Sequence, residues 1–444
     1  MNPSSCQLKA NAVDLDYRPV ELARGLIHHP GFVFLDSAST DSPHQDCAPR
    51  GISILATHPE KIIQGRWQPT HPHPADSDPG IKELKQALAQ GQSRCSSFDC
   101  GFPTGGAIGS FDYDGSYHFG IYPHMLVYDH QHCQWFEIGE QQNKVDWNQL
   151  HSTPPAASAP SPREAFSSSM TSADFCQKVE QAQAYIAAGD IYQVNLSHQF
   201  SAPWPSSAQK NPSAAFALYE HLRDKSPAPF AAFLKLEQRQ ILSSSPELFL
   251  KISGREIITR PIKGTRPRFR DPSADERSAY ELITSPKEIA ELIMITDLER
   301  NDLGKICEAG SVEVSELLKL ERFEQVFHLV STVSGQLQDQ LHPVDALLAC
   351  FPGGSITGAP KIRAMQIIDE LETTARGLYT GAIGIFGFNH ESIFNIAIRT
   401  AIIEKQTLRF NVGAGIVADS IPQKEYEETL HKARGIFQAC GLGS

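Results

Sequence analysis

The 444-residue chain predicts an α+β fold built on β-sheets. Strand-like segments of mixed spacing, some of them hairpin-like neighbours, are interspersed with longer amphipathic helical segments, and no regular strand–helix–strand repeat occurs. The composition, with 41% hydrophobic and 20% charged residues, is that of a globular protein that can bury a core. Length alone permits either several domains or one large unit.

A stretch rich in Ser, Pro and Ala, residues 152–173, shows neither helical nor strand periodicity and predicts a linker or a surface excursion. It separates an N-terminal region, residues 1–151, from a C-terminal region, residues 174–437. Residues 106–111 (GAIGSF) are echoed by residues 381–386 (GAIGIF). This echo indicates either a repeated strand–turn unit or chance.

The formal net charge of −12 argues against broad binding to nucleic acid or to anionic membranes, because both require basic surface. The first residues open no basic segment followed by an apolar stretch, and no run of about 18 apolar residues occurs. The nine cysteines are scattered and form no Cys-x-x-Cys pair, which is typical of reduced thiols. We therefore expect a cytoplasmic protein that is not anchored to a membrane.

Ser285 begins a segment that predicts a helix with acidic residues near its start. A serine N-cap, a proline at the first helical position and Glu288 three residues after the serine form a capping box. Glu288 could serve only as a cap. Glu291, however, adjoins the apolar residues 292–295, where an unpaired carboxylate would be costly.

Ser420 begins a second capping-box pattern, in which Glu425 and Glu428 repeat the spacing of three. Glu428 could simply form a solvated helix pair with Lys432, four residues later. Carboxylates from two helices, completed by water and a substrate oxygen, are also the ligands that Mg²⁺ prefers. The sequence leaves both interpretations open.

A glycine-rich loop, residues 351–361 (FPGGSITGAPK), leads into a periodic run that predicts a helix. Exposed backbone N–H groups at a helix start attract a carboxylate or a phosphate. Gly353 and Gly358 have the spacing of a phosphate-binding P-loop, but Ala359 and Pro360 stand where its Lys-Ser/Thr pair should follow. The alternative is a loop that only makes a tight turn.

Two predicted strands contain a positively charged or titratable side chain. Arg399 falls in residues 392–403, which predict a largely buried strand, so its guanidinium needs an anionic partner. That partner could be an internal carboxylate or a substrate carboxylate held by two hydrogen bonds. His328, in residues 326–331, is predicted to be a core or edge histidine when considered alone.

Lys263 lies among Arg260, Arg266 and Arg268. Neighbouring cations and partial burial would lower the pKa of Lys263 and leave some neutral amine, which a nucleophile requires. The alternative is a basic surface turn. Glu247, which precedes an apolar strand, could be a general acid with a raised pKa or a strand-end carboxylate.

In their order along the chain, these segments resemble the chorismate-utilising enzymes, most strongly over residues 174–437. The resemblance implies an anthranilate synthase component I-like fold, an α+β unit of two large packed antiparallel sheets with helices outside, so that the linker need not separate independent domains. It rests on residues 190–196 (DIYQVNL), 245–247 (SPE), 261–265 (PIKGT), 297–303 (DLERNDL), the glycine-rich loop and 413–420 (GAGIVADS).

The resemblance also implies ligands. Mg²⁺ would be bound by Glu291 and Glu428, with Glu288 and Glu425 beside them, and would hold a chorismate carboxylate. His328 matches the histidine that the family places near the substrate ring, and the resemblance implies that it belongs to the catalytic residues. The residues expected to surround chorismate are Gly264, Thr265, Ser355, Tyr379, Arg399, Gly413, Ala414 and Gly415.

Lys263 distinguishes the branches of this family. Anthranilate synthases usually have alanine here, whereas the branch that forms aminodeoxychorismate has lysine, and Gln193 stands where water-adding relatives carry a lysine base. The resemblance therefore implies that Lys263 and Glu247 are catalytic, that ammonia is the incoming group and that the product is 4-amino-4-deoxychorismate, a precursor of 4-aminobenzoate and folate. Anthranilate formation is the alternative. The chain shows no amidotransferase signature, and the resemblance implies a separate glutamine amidotransferase subunit.

The N-terminal region is less similar. Residues 35–37 (LDS), which include Ser37, and the triplet Pro229, Phe230 and Ala231 resemble parts of the family's tryptophan pocket. Asp36 stands where feedback-inhibited anthranilate synthases typically have Glu. The resemblance thus permits a structural tryptophan and argues against feedback control.

Overall fold

The computed structural model describes residues 8–37, 51–68, 78–95, 100–139, 166–209, 211–323 and 325–442. Most of its helices have a proline in the first turn, where a fixed φ is favourable and no N–H is needed. In chain order the helices are α1 (Pro19–Leu26), α2 (Pro79–Gln92), α3 (Ser172–Ala187), α4 (Ser206–Gln209), α5 (Pro212–Lys225), α6 (Pro272–Ile283), α7 (Pro286–Gly304), α8 (Pro343–Cys350), α9 (Lys361–Leu371) and α10 (Pro422–Ala439).

The strands are β1 (Ala10–Val13), β2 (Val33–Asp36), β3 (Ile52–Ala56), β4 (Lys61–Arg66), β5 (Gly106–Phe111), β6 (Ser116–Tyr122), β7 (Met125–Asp129), β8 (Gln134–Ile138), β9 (Ser167–Ser168), β10 (Gln193–Pro203), β11 (Phe230–Lys235), β12 (Arg239–Ser245), β13 (Leu248–Ser253), β14 (Glu256–Arg260), β15 (Ile262–Pro267), β16 (Glu313–Arg322), β17 (Val326–Gln336), β18 (Gly358–Ala359), β19 (Ala382–Gly387), β20 (Glu391–Ile396), β21 (Thr400–Glu404) and β22 (Thr407–Ile416).

These strands form two large antiparallel sheets, which confirms the predicted α+β class. The first sheet has the order β1-β8-β7-β3-β2-β11-β12-β21-β22-β10-β18, with β9 on β10. The second has the order β15-β17-β14-β13-β20-β19-β5-β6-β4, with β16 on β17. Strands from both sides of the predicted linker occur in each sheet. Residues 152–165 of that linker lie outside the described ranges, whereas β9 and the start of α3 occupy its last part.

The two sheets pack face to face, and helices cover their outer surfaces. α1, α5 and α10 pack on the first sheet, α2 and α8 on the second, and α6 and α7 against β17. No helix in the described ranges is long and apolar enough to cross a membrane. The core between the sheets includes Val33, Ile54, Val127, Ile108, Ile383 and Ile385.

The two echoed hexapeptides form neighbouring strands, β5 and β19, in the second sheet. Gly109 lies directly opposite Gly384 in their antiparallel register. A Cβ atom on Gly109 would stand 2.0 Å from the His118 carbonyl oxygen, and one on Gly384 would stand 2.0 Å from that of Ile393. Both positions therefore require glycine because the neighbouring strand leaves no room.

We expect Gly384→Ala to destabilise the protein by about 2–3 kcal/mol, because the added methyl group must displace backbone in the middle of a sheet. Urea unfolding followed by circular dichroism would measure this loss. Gly304→Ala is the matched control, since nothing lies within 4 Å of that Cβ position at the end of α7. Equal unfolding free energies for Gly384→Ala and the wild type would contradict the packing argument.

The start of α7 confirms one predicted cap, and the start of α10 corrects another. The Ser285 side chain accepts a hydrogen bond from the Glu288 N–H at 3.4 Å. At α10, however, Ile421 is the N-cap residue and no side chain caps the helix. The Ser420 hydroxyl instead donates to Glu425 at 2.8 Å. Its oxygen accepts from the Val417 N–H at 3.1 Å, so the side chain bonds to the preceding turn rather than to the helix backbone.

The prediction that Arg399 lies within a continuous buried strand is wrong. β20 ends at Ile396 and β21 begins at Thr400, and these two strands belong to different sheets. Arg399 occupies the crossover between them with a φ of 49°. The apolar run continues through the break because the crossover, like the strands, lies in the protein interior, so hydrophobicity alone could not reveal it.

Candidate active site

A cleft of about 870 Å³ gathers most of the predicted site residues. β15, β17 and β22, the glycine-rich loop, α7 and α10 all contribute to its walls. Distant segments of the chain therefore converge as the sequence predicts. The predicted residues that line the cleft are Glu247, Lys263, Gly264, Thr265, Glu288, Glu291, His328, Ser355, Tyr379, Arg399, Gly413, Gly415 and Glu428.

The Ala414 side chain does not line the cleft, so the contact predicted for this residue would have to be made by its backbone. Side chains alternate between the two faces of a strand, so Gly413 and Gly415 face the cleft while Ala414 packs into the core between β22 and α9. A Cβ atom on Gly415 would stand 2.3 Å from the amide nitrogen of Gln193. Glycine at this position leaves room for that amide, whose Nε2 donates to Glu291 at 3.4 Å.

Lys263 projects from β15 toward the glycine-rich loop, where its Nζ donates to the Ser355 carbonyl oxygen at 3.1 Å. The predicted cluster of cations around it is only partly formed. Arg260 pairs with Glu321, and Arg268 with Asp275 at 2.9 Å. Arg266, however, lines the same cleft as Lys263 and lies 3.8 Å from Glu288.

Glu247 lies where the chain crosses from β12 in the first sheet to β13 in the second. It is only 5% exposed, and its Oε1 has no hydrogen-bond partner among the described residues. Burial raises the pKa of Glu247, and the Lys263 ammonium partly opposes this rise. A buried carboxyl group with a raised pKa keeps its proton to higher pH, which suits a general acid.

Arg399 reaches the cleft from the opposite crossover, between β20 and β21. The two crossovers touch: the Ile396 N–H donates to the Glu247 carbonyl oxygen, and the Ser244 N–H to that of Arg399, both at 3.1 Å. Burial lowers the pKa of the Arg399 guanidinium, and Glu247 opposes this. Within the described ranges no carboxylate lies within 4.0 Å of Arg399, so its fork can accept an anionic ligand.

His328 is a buried histidine of β17 that borders the cleft. Its Nδ1 lies 2.9 Å from the Thr265 hydroxyl oxygen. Burial, with a smaller effect from Arg399, lowers the pKa of His328 to about 3. The imidazole is therefore neutral near pH 7 and can give or accept a hydrogen bond without carrying charge.

The two acidic helices face each other across the cleft, with lysines between their carboxylates. Lys287 of α7 lies 3.2 Å from Glu425 of α10 and 3.9 Å from Glu291 of its own helix. The ion pair with Lys287 holds the Glu425 side chain behind the residues that line the cleft. Lys432 pairs with Glu428 at 2.7 Å, which confirms the contact that the sequence indicated.

The lysines affect these carboxylates in different ways. Burial raises the pKa of Glu291, and Lys263 and Lys287 only partly oppose it. Burial would also raise the pKa of Glu428, but Lys432, with smaller effects from Lys287 and Lys263, lowers it below the ordinary value. Glu428 is therefore the more readily ionised of the two.

The acidic residues fit a magnesium ion by their chemistry. No group of three or more His, Cys, Asp or Glu side chains is gathered tightly enough for a metal in the part of the chain that the structure describes. Mg²⁺ usually needs only one or two protein carboxylates because it keeps several waters. Among the described residues, Glu291 Oε1 and Glu425 Oε2 are buried oxygens without hydrogen-bond partners, and such oxygens are hard ligands of the right kind.

Ser37, Pro229, Phe230 and Ala231 line a separate cavity of about 50 Å³. This volume holds roughly three to five water molecules, so a tryptophan would require the cavity to widen. Asp36, at its edge, is buried and pairs with Arg223 at 2.6 Å. Tryptophan binding therefore stays a prediction.

Lys287 and Arg376 contribute to the site although the sequence predicted no role for them. Lys287 could have been noticed from its spacing of four to Glu291. Arg376 is fully buried behind the cleft, donates to the carbonyl oxygens of Asn195 and Ile356 and stacks on Tyr379 with 5.7 Å to the ring centre. The contacts with Asn195 and Ile356 join segments far apart in the chain and have no local pattern in the sequence.

The fold and this cleft define a chorismate-binding enzyme. The family model described as chorismate binding enzyme matches residues 80–438, and the chain belongs to this family. The anthranilate synthase component I of Streptococcus pneumoniae superimposes with a TM-score of 0.73 at 31% identity, over 89% of this chain and 94% of that one. The menaquinone-specific isochorismate synthase of Escherichia coli, with a TM-score of 0.76 at 16% identity, shares the fold.

Relatives with two different activities resemble the chain. Aminodeoxychorismate synthase component 1 of Escherichia coli is 37% identical over 93% of this chain and 94% of its own length, and that of Bacillus subtilis is 40% identical over 76% and 77%. Anthranilate synthase component 1 3 of Haloarcula marismortui is 46% identical over 65% of this chain. The match spans only 56% of that relative's length.

Proposed function

We propose that the chain is the large subunit of an aminodeoxychorismate synthase, which converts chorismate and ammonia to 4-amino-4-deoxychorismate for 4-aminobenzoate and folate synthesis. The observation that carries the proposal is the Lys263 amine, 3.1 Å from the Ser355 carbonyl oxygen, in the same cleft as the buried Glu247. An amine nucleophile and a protonated carboxyl group are what a two-step substitution requires. The relatives of that name, which match most of the chain, support it.

In the first proposed step, the Lys263 ammonium releases a proton to solvent, and the resulting amine forms a bond to carbon 2 of chorismate. The ring double bonds shift, the bond between carbon 4 and its hydroxyl oxygen breaks, and Glu247 protonates the departing hydroxyl, so that water leaves. In the second step, ammonia bonds to carbon 4, the double bonds shift back and the bond to Lys263 breaks. The new amino group returns a proton to Glu247. The net change exchanges a hydroxyl for an amino group and releases water.

Several cleft residues are suited to hold the substrate in this reaction. Chorismate carries two carboxylates, and the Arg399 guanidinium, which has no carboxylate partner in the described ranges, can bind one of them with two parallel hydrogen bonds. The neutral His328 can form a hydrogen bond near the ring. Gly413 and Gly415 bring the backbone of β22 close to the ligand because they have no side chains.

Glu291 and Glu428 would hold Mg²⁺, with Glu288 and Glu425 beside them. When bound, the metal would offset the charge of a chorismate carboxylate and orient it. Lys287 occupies a position between Glu291 and Glu425, so its ammonium neutralises part of the same acidic charge.

A glutamine amidotransferase subunit is the expected source of ammonia. The name "component 1" of the relatives is consistent with a second subunit. Isolated large subunit supplied with an ammonium salt should then be active without glutamine. A cytoplasmic location, expected from the sequence, is part of this proposal.

The proposal is tested by incubating the purified chain with chorismate, Mg²⁺ and an ammonium salt and identifying the products by chromatography and mass spectrometry. Aminodeoxychorismate without pyruvate is the expected result. Anthranilate together with pyruvate would favour the second candidate, an anthranilate synthase component I. The observation that favours this second candidate is the 46% identity to the Haloarcula marismortui protein.

We expect Glu291→Gln to raise the Mg²⁺ concentration for half-maximal activity about tenfold or more, because the amide removes one charged ligand. A titration of activity against Mg²⁺ measures this shift. Glu281→Gln, on the exposed surface of α6, is the matched control. An unchanged Mg²⁺ requirement in Glu291→Gln would exclude this residue as a ligand.

A further inference from the structure

Two buried acidic residues of α7, Glu299 and Asp302, have no part in the proposed reaction. They are 3% and 1% exposed. Because they are three residues apart, they lie on neighbouring positions of one helix face. Buried carboxylates are costly unless they are paired or hydrogen-bonded, so the contacts they make indicate what they stabilise.

Both residues hold the glycine-rich loop. Glu299 Oε1 accepts a hydrogen bond from the Gly354 N–H at 3.0 Å. Asp302 pairs with Lys361, whose ammonium also donates to the Cys350 carbonyl oxygen at 2.8 Å. Cys350 ends α8 and Lys361 begins α9, so one ammonium group ties the two ends of the loop together. We call Glu299, Asp302 and Lys361 the loop clamp.

The loop has no freedom to move toward α7. A Cβ atom on Gly354 would stand 2.6 Å from Leu298 Cδ2 and 3.0 Å from Glu299 Oε1. The absence of a side chain at Gly354 is therefore what lets its N–H reach Glu299. This close contact sets the position of the next residue, Ser355.

Ser355 is the point at which the loop meets the reactive groups. Its carbonyl oxygen accepts the hydrogen bond from Lys263 Nζ. Its hydroxyl oxygen is buried without a partner in the described ranges and lines the cleft together with Glu247. A shift of the loop would therefore move the only backbone acceptor that the Lys263 amine has among the described residues.

We propose that Glu299 and Lys361 are positioning residues, which fix Ser355 and thereby orient the Lys263 amine toward carbon 2 of the substrate. This inference rests on the proposed role of Lys263. Neither residue lines the cleft, so both act through the loop. A misplacement of about 1 Å at a reacting group can cost on the order of 10²-fold in rate.

The protonation of Glu299 suggests a conservative variant. Burial, with a contribution from Asp302, raises the pKa of Glu299 to about 7, while Lys361 opposes the rise. Glu247 is the other charged group that affects it. A glutamine has the shape of the neutral carboxyl group and keeps an oxygen that can accept from Gly354, whereas a leucine of similar size cannot.

Glu299→Leu should lower kcat about 10- to 100-fold and leave the KM for chorismate nearly unchanged, because the substrate-binding groups stay in place while the amine is misdirected. Glu299→Gln should restore most of kcat. Asp297→Asn, on the exposed side of the same helix, is the control. Circular dichroism and the thermal midpoint of each variant would establish the folded fraction.

A second measurement does not depend on the reaction. Reductive methylation with formaldehyde, resolved by peptide mass spectrometry, reports how accessible each lysine amine is. Release of the Ser355 contact should make Lys263 react several times faster in Glu299→Leu than in Glu299→Gln or the wild type. The exposed Lys225 provides the internal standard.

Wild-type kcat and wild-type labelling of Lys263 in Glu299→Leu would overturn the inference. A loss of kcat in Glu299→Leu that is no larger than its loss of folded protein would also overturn it. The same holds if Glu299→Gln loses as much kcat as Glu299→Leu. If the wild-type chain made anthranilate, the proposed function would fail, but the labelling would still show whether the clamp positions Lys263. The inference is supported if Lys263, and no other lysine, is labelled faster in Glu299→Leu while its labelling in Glu299→Gln equals that of the wild type.

Discussion

Lys263→Ala should reduce the formation of aminodeoxychorismate on the order of 10³-fold, because the variant loses the group that would bond to carbon 2. The fold should persist, since the side chain is only half-buried and, among the described residues, its one hydrogen bond goes to the Ser355 carbonyl oxygen. The loss should appear in kcat, whereas the KM for chorismate should change much less. Initial rates with chorismate, Mg²⁺ and ammonium would measure both.

Lys225→Ala provides the control for this loss, since Lys225 is an exposed lysine at the rim of the cleft. A general loss of positive charge would impair both variants, whereas loss of a nucleophile would impair only Lys263→Ala. Mass spectrometry of protein quenched during turnover should show a chorismate-derived adduct on Lys263 in the wild type. Wild-type rates in Lys263→Ala would rule out a nucleophilic lysine.

Glu247→Gln should lower kcat roughly 10²- to 10⁴-fold, which is the range expected when a general acid is removed. The amide has nearly the same size as the buried carboxyl group, so the junction between the two sheets should remain intact. Glu281→Gln, on the exposed surface of α6, is the matched control. The rates and the thermal midpoints of both variants would be compared under the conditions used for the wild type.

The raised pKa of Glu247 also predicts how kcat depends on pH. Burial raises the pKa of Glu247, so the proton that the departing hydroxyl needs is present at low pH and is lost as pH rises through the raised value. We therefore expect kcat to fall on the alkaline side of its optimum. In Glu247→Gln the small remaining activity should lack this descending limb. If Glu247→Gln kept the same fall in kcat at alkaline pH, the group that titrates there would not be Glu247.

Local sequence patterns predicted several parts of the site because they depend on near neighbours. The cap at Ser285 requires only residues 285–288, and the helix that begins at Lys361 follows directly from the loop before it. By contrast, the cap predicted at Ser420 is wrong, because its oxygen accepts from the Val417 N–H and its hydroxyl donates to Glu425, one turn into the helix. Packing between the preceding turn and the helix directs this short side chain away from the N–H groups of the first helical turn.

By itself, the sequence determined the α+β class and the positions of the acidic helices, and through ordered family motifs it predicted which residues converge in the cleft. Only the tertiary structure showed that Glu247 and Arg399 occupy facing crossovers between the sheets, and that the loop clamp holds the acceptor of the Lys263 amine. The reason is physical. Periodicity and capping report contacts within a few residues, whereas the partners of a buried charge are chosen by packing between segments far apart in the chain.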